Sequence, residues 1–191
     1  MSATKPIKNQ ENIQRLKDYF LGQKRYRDYT LVTFGLNTAL RISDLLSLTW
    51  KDVYQFDTHC FYTYVNVKEQ KTGKMNQIYL NVAVIQALSL LLEHNPDISG
   101  DTYILKSRKG TQPISRIQAY RIIHDAGNAL GFETKVSCHS LRKTFGYQAW
   151  KQGAEPALIM NIYNHSSYQI TKRYLCIDQD DRDSLYQRVN L

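Results

Sequence analysis

Apolar residues recur at helical spacing over most of this chain, and one short stretch breaks that rhythm. Ile13, Leu16, Tyr19 and Phe20 mark one face of a helix from Asn12 to Phe20, with Gly22 as its stop. Tyr29, Val32, Thr33, Leu36 and Leu40 line a second helix predicted over Tyr26 to Leu40, and Ile42 to Leu48 reads as a short third. The texture then changes. Cys60 to Val67 is rich in aromatic and β-branched residues and predicts a strand, with Met75 to Leu80 as its hairpin partner across Thr72-Gly73-Lys74. Helical spacing returns at Val82–His94, Ser115–Gly131, Ser140–Lys151, Pro156–Tyr163 and Ser167–Leu175, and an amphipathic segment is expected over Asp180–Val189. Residues 1–9 carry no such pattern and read as a loose lead-in. The pattern predicts a mostly helical α+β fold with one small antiparallel sheet, in a single domain spanning residues 1–191 with no linker or repeat.

Charge narrows the partners. The chain of 191 residues carries 25 Lys and Arg against 17 Asp and Glu, a formal net charge of +8. Such an excess attracts polyanions, nucleic acid being the commonest, although a basic surface alone is equally compatible with no partner. The N-terminus lacks the apolar core of an export signal, and no apolar run approaches a membrane span. Cys60, Cys138 and Cys176 are odd in number and share no metal-site spacing, as expected of reduced thiols in the cytoplasm.

Three clusters could carry chemistry. In the first, Arg41 lies between apolar helical stretches with Asp44 three residues on, a spacing at which the two can pair. In the second, His139 and Arg142 share a face near the start of a helix, where exposed N–H groups and the helix dipole favour a phosphate. In the third, His165 precedes Ser166 and Ser167, and Tyr174 lies two to three turns further on. Read singly, these are also what an ion pair, a helix cap and a packed tyrosine look like, and 14 tyrosines prevent spacing alone from choosing Tyr174.

Taken together and in order, the clusters resemble the signature of the tyrosine recombinase (phage integrase) family. The family segment G-L-R-x-S/T-E/D-L-L-x-L-x-W-x-D is matched by Ala39-Leu-Arg-Ile-Ser-Asp-Leu-Leu-Ser-Leu-Thr-Trp-Lys-Asp52. A hairpin lysine is matched by Lys71 in Gln70-Lys-Thr-Gly-Lys74, with Lys68 and Lys74 close enough to compete for its role. The H-x-L-R-H/K-T-F segment is matched from His139 to Phe145, and the final box by His165-Ser-Ser and Thr171-Lys-Arg-Tyr174. Each box is weak alone; four in order, from about Tyr26 to Leu175, are specific. Ala39 stands where the family has Gly, a small-for-small change, and Tyr163-Asn164 where it has Leu-Gly; Asn is the residue that best replaces Gly in a left-handed turn.

The resemblance implies site-specific recombination or integration of double-stranded DNA through a 3′-phosphotyrosyl intermediate. Tyr174 would be the nucleophile, Arg41 and Arg142 would hold the phosphate, and His139 would help remove the tyrosine proton. Lys71 would protonate the leaving oxygen, His165 would hydrogen-bond the phosphate, and Asp44 would orient Arg41. It implies no metal and no cofactor, self-association on DNA during synapsis, and no membrane. Family members carry a DNA-clamping domain ahead of the catalytic one, which about 25 residues cannot form, so either the chain works with half a clamp, or another chain completes it, or the sequence is an excised fragment. A DNA-binding module that has lost cleavage, and a type IB topoisomerase-like activity, are the alternatives.

Overall fold

The computed structural model describes residues 4–189. Nine helices are described: α1 (Gln10–Gly22), α2 (Tyr26–Thr38), α3 (Ile42–Leu46), α4 (Val82–Glu93), α5 (Arg116–Ala129), α6 (Cys138–Lys151), α7 (Pro156–Tyr163), α8 (Tyr168–Leu175) and α9 (Asp178–Arg188). A single 3₁₀ turn at Trp50–Asp52 follows α3 and leads into four short strands, β1 (Tyr54–Gln55), β2 (Cys60–Phe61), β3 (Tyr64–Lys68) and β4 (Met75–Tyr79).

Local chemistry accounts for most element ends. Asn81 caps α4 by accepting from the Val84 N–H, Ser115 and Gln118 close a reciprocal capping box on α5, and Ser167 caps α8 by accepting from the Ile170 N–H. Helix α2 is buried along most of its length and packs against α4, α6 and α1, so it is the axis on which the fold is assembled. It ends two residues earlier than its apolar pattern suggests. Ala39 turns left-handed (φ 53°), reversing the chain so that Arg41 opens α3.

The expected single sheet is two two-stranded ones. The stretch from Cys60 to Val67 changes partner midway: Cys60–Phe61 pairs back onto Tyr54–Gln55, while Tyr64–Lys68 pairs forward onto Met75–Tyr79. Tyr62 N–H donates to the Val53 carbonyl, and Leu80 N–H to the Thr63 carbonyl, so the switch falls between adjacent residues. Along β3 the alternation is strict, with Val65 and Val67 buried and their neighbours exposed.

Two further expectations fail. Residues 4–9 are docked, not loose: Ile7 is buried, its N–H donates to Thr144 Oγ1 (2.8 Å), and the Lys8 carbonyl accepts from Gln148 Nε2 (3.0 Å). The final helix α9 is not amphipathic, since Leu185 and Tyr186 are adjacent in sequence and both exposed. Among the described residues no helix is long and apolar enough to cross a membrane.

Candidate active site

The site forms where the start of α3, the β3–β4 hairpin, the start of α6 and the α7–α8 segment meet. Ser137 is the N-cap of α6, so His139 and Arg142 both fall in its first turn and a half. Arg142 is buried, and its guanidinium lies 4.7 Å from the Tyr163 ring centroid. Tyr163 in turn donates its hydroxyl to the Arg142 carbonyl at 2.6 Å, which locks the end of α7 to α6. Burial pushes the Tyr163 phenol far up, so it is a structural donor at any working pH.

Close packing delivers Tyr174 to the same place. A Cβ at Gly146 would stand 2.6 Å from the Tyr163 hydroxyl and 2.8 Å from Leu175 Cδ2, so only glycine lets α7 and α8 approach α6 this closely. Tyr174, on α8, is half-buried; its ring lies 5.2 Å from His165 edge-on and 5.4 Å from Tyr163. Burial raises its pKa above the ordinary value, while the nearby Arg142 guanidinium and the Arg41 charge pull the other way. At neutral pH the resting phenol is therefore protonated, and attack requires a base.

His165 leaves α7 through Asn164, which is left-handed (φ 56°) as the substitution for Gly requires. Its Nδ1 shares a 3.0 Å hydrogen bond with Oγ1 of the fully buried Thr171, which explains the Thr three residues before Tyr174. Burial, then the charges of Arg142 and Arg41, hold the His165 pKa below 6.5. His139 is lowered by burial and by Lys143, Arg142 and Arg116. Both imidazoles are thus neutral at pH 7 in the free chain and able to accept a proton.

The carboxylate partner of Arg41 is not the expected one. Arg41 Nη1 lies 2.6 Å from Glu69 Oε2, while Asp44, fully buried, accepts the Gln70 backbone N–H at 3.0 Å. Asp44 therefore braces the base of the hairpin, and Glu69 holds the arginine. Glu69 also accepts from Thr72 Oγ1 (2.6 Å) and Asn76 Nδ2 (2.9 Å), with Asn164 Nδ2 at 3.5 Å. Burial works to raise its pKa, but the Thr72 hydroxyl and Arg41 outweigh it and keep the carboxylate charged. The Arg41–Glu69 contact is a charge contact too bent for an aligned hydrogen bond, which leaves that N–H donor unspent.

Of the hairpin lysines, Lys71 is exposed at the turn, whereas Lys74 Nζ donates to Asn164 Oδ1 at 2.9 Å, beside His165. The geometry thus gathers Arg41, Arg142, His165 and Tyr174, sets His139 one turn before Arg142 on α6, and leaves Lys71 exposed on the hairpin turn. Sequence reading missed Glu69 and Lys143, the latter with its ammonium 4.9 Å from the Tyr174 ring centroid.

The sequence matches the phage integrase family over residues 8–180, and the chain belongs to that family, the DNA breaking and rejoining enzymes called tyrosine recombinases. It is 41% identical over 187 residues to the probable integrase/recombinase YoeC of Bacillus subtilis, covering 98% of this chain and 97% of that protein. It is 28% identical to the type 1 fimbriae regulatory protein FimE of Escherichia coli, covering 100% and 95%. The XerA recombinase structure superposes with a TM-score of 0.77 at 23% identity, over 98% of this chain and 66% of XerA.

Proposed function

We propose that this chain cleaves and rejoins double-stranded DNA at specific sites, with Tyr174 as nucleophile. The observation that carries the reading is a half-buried Tyr174 held edge-on to His165, with the charges of Arg142 and Arg41 acting on its phenol, in a chain of this family. The Tyr174 oxygen attacks a backbone phosphorus, forming a 3′-phosphotyrosyl ester as the P–O5′ bond breaks. A 5′-hydroxyl of the partner strand later attacks the same phosphorus and returns the phenol, so bond energy is conserved and one hard displacement becomes two easier ones. Arg41 and Arg142 donate to the non-bridging oxygens, where negative charge builds up. Donors placed in advance on developing charge are typically worth about 3–4 kcal/mol each. Neutral His139 takes the phenol proton, and His165, oriented by Thr171, donates to a phosphate oxygen.

Double-stranded DNA fits the net charge of +8. The XerH structure, with a TM-score of 0.75 at 17% identity over 98% of this chain, is a post-cleavage complex with a palindromic difH substrate. A palindromic site invites two copies, so self-association on DNA belongs to the reading, as does a second chain that completes the clamp. We assign the work to the cytoplasm. A binding module without cleavage would have no use for a half-buried tyrosine set among Arg142, Arg41 and His165.

Duplexes selected from random DNA, nicked near the bound site, should trap a covalent adduct through a 3′-phosphate, and Tyr174→Phe should trap none. An adduct on Tyr163 or Tyr168 would sink the assignment, and supercoil relaxation without strand transfer would make the chain a topoisomerase instead. The proton donor to the 5′-oxygen is read as Lys71, with Lys74 its rival because of its contact to Asn164. Sulfur at the 5′-bridging position separates them. A thiolate leaves without a proton, since thiols are far more acidic than alcohols, with a pKa of about 8.5 for a cysteine side chain. Lys71→Ala should be slow on ordinary DNA and recover on the sulfur substrate. Recovery of Lys74→Ala alone would transfer the role.

A further inference from the structure

Lys143 follows Arg142 on α6 and is buried at 8% exposure. A lysine that gives up its water at such a position is ordinarily matched by a carboxylate. Here, among the described residues, no carboxylate lies within ion-pair distance of it. Its ammonium donates to the Thr4 carbonyl at 2.7 Å and lies over the Tyr174 ring, 4.9 Å from the centroid. Both contacts are neutral in the resting chain. Of the two, only the tyrosine can become an anion.

The Thr4 carbonyl is held in place by the segment that carries it. Ile7 is buried and bonds Thr144, and Lys8 and Gln148 bond each other through the Lys8 carbonyl, so residues 4–8 run along successive turns of α6. The same segment also reaches α9, because Lys8 Nζ pairs with Asp180 at 2.7 Å. It is a strap tied to α6 at one end and to α9 at the other.

We infer that Lys143, set by the N-terminal strap, is a positioning residue for the nucleophile, fixing the plane of the Tyr174 ring and favouring its ionised form. The inference rests on Tyr174 being the nucleophile. A cation over an aromatic face is attracted by the ring quadrupole, and more strongly when deprotonation spreads negative charge into the ring. The other groups around Tyr174 are Arg142 from α6, Arg41 from the start of α3, Tyr163 from α7 and His165 from the turn before α8. Arg142 and Arg41 act on the phenol too, so Lys143 adds to them and does not replace them. If Lys143 merely anchored the strap, its loss would lower stability and leave the ionisation of Tyr174 where it was.

The test places 3-fluorotyrosine at position 174 of the full chain and follows its ionisation by ¹⁹F NMR, which needs no DNA. Lys143→Met should raise the midpoint by about one pH unit, the scale of a desolvated cation–π contact. Lys143→Arg should restore most of it, and Ile7→Ser, which loosens the strap but keeps the lysine, should give a smaller rise. On the selected nicked duplex the adduct should form about tenfold more slowly with Lys143→Met and near the parent rate with Lys143→Arg. An unchanged midpoint in Lys143→Met overturns the inference, and so does a midpoint that Arg fails to restore. Should Lys143→Met not fold, an unshifted midpoint in Ile7→Ser does the same. If the unsubstituted chain forms no adduct through Tyr174, the functional reading fails, while the NMR titration still judges the cation's effect on the ring.

Discussion

Around Leu88 and Phe34 the interior is carbon packed on carbon, joining α1 to α5 and both sheets into one cluster with the N-terminal part of α6. Around Tyr163 and Leu175 it is smaller and differently made. Ala39, Tyr147, Ile159, Tyr163, Leu175 and Ile177 form a separate cluster, and cations lie across its aromatic faces: Arg142 over Tyr163, Lys143 over Tyr174 and Lys8 over Tyr147. The first region stabilises by burying area. The second buries far fewer residues, and position there is also set by a few directional contacts between charges, rings and backbone. Stability and reactivity should therefore come apart when the two regions are perturbed.

The largest effect should appear in a pair of alanine substitutions. Leu88→Ala opens a cavity in the large cluster and should cost about 2–5 kcal/mol of stability, leaving adduct formation near normal at temperatures where the chain stays folded. Gly146→Ala should do the reverse. Its Cβ would meet the Tyr163 hydroxyl at 2.6 Å, and that hydroxyl cannot withdraw without breaking its bond to the Arg142 carbonyl. The same Cβ would meet Leu175 Cδ2 of α8 at 2.8 Å, so both α7 and α8, the latter carrying Tyr174, must shift. Overpacking of this kind costs about 1–3 kcal/mol, yet a nucleophile misplaced by about 1 Å reacts on the order of a hundredfold more slowly. Thermal melts beside single-turnover adduct kinetics give both numbers. A Gly146→Ala variant that reacts at the parent rate would erase the contrast between the regions.

Glu69→Gln should come next. The amide keeps the shape, but with one acceptor oxygen it can still accept from Asn76 while its NH2 faces Thr72 as a donor, and it removes the charge that Arg41 faces at 2.6 Å. Arg41 is about one-fifth exposed, so solvent softens the loss, and a stability change of about 1–2 kcal/mol is expected. Adduct formation should slow about tenfold or more because the guanidinium is no longer aimed. DNA affinity should hold or rise, since a carboxylate has left the phosphate site. A drop in affinity with unchanged chemistry would show that Glu69 supports the hairpin and not the arginine.

These residues also mark what a linear reading can find. Caps, helix periods and the four catalytic boxes are local patterns, and Ser115, Ser167 and the left-handed Asn164 are where such patterns place them. Glu69 was invisible because its partners at positions 41, 72, 76 and 164 meet only after the hairpin folds against α3 and α7. Asp44 took its place in the reading because three-residue spacing is a local signal. The strap failed for the opposite reason: residues 4–9 have no period, and what orders them is the row Lys143, Thr144 and Gln148 on a helix far along the chain. The partner switch between Cys60–Phe61 and Tyr64–Lys68 is likewise decided by Val53 and Leu80, not by the stretch itself.

The smallest effects should separate two residues that look alike. Ala39 and Asn164 are both left-handed, non-glycine and adjacent to the site, and glycine would relieve the backbone at each. At Ala39 the gains and losses nearly cancel. Strain relief of about 1–2 kcal/mol is offset by about 0.4–1 kcal/mol of added unfolded-state entropy and about 0.8 kcal/mol for a methyl group lost from the small cluster. Ala39→Gly should therefore shift stability by less than about 1 kcal/mol in either direction and leave adduct formation unchanged. At Asn164 the backbone gain is smaller, because Asn tolerates the conformation, and the side chain bonds Lys74 at 2.9 Å and approaches Glu69 at 3.5 Å. Asn164→Gly should melt at nearly the same temperature but react several-fold more slowly, with Lys74 released from the His165 turn. Equal kinetics in the two glycine variants would mean that the Lys74–Asn164–Glu69 contacts only fill space, and that Lys71 supplies its proton without help from that side of the hairpin.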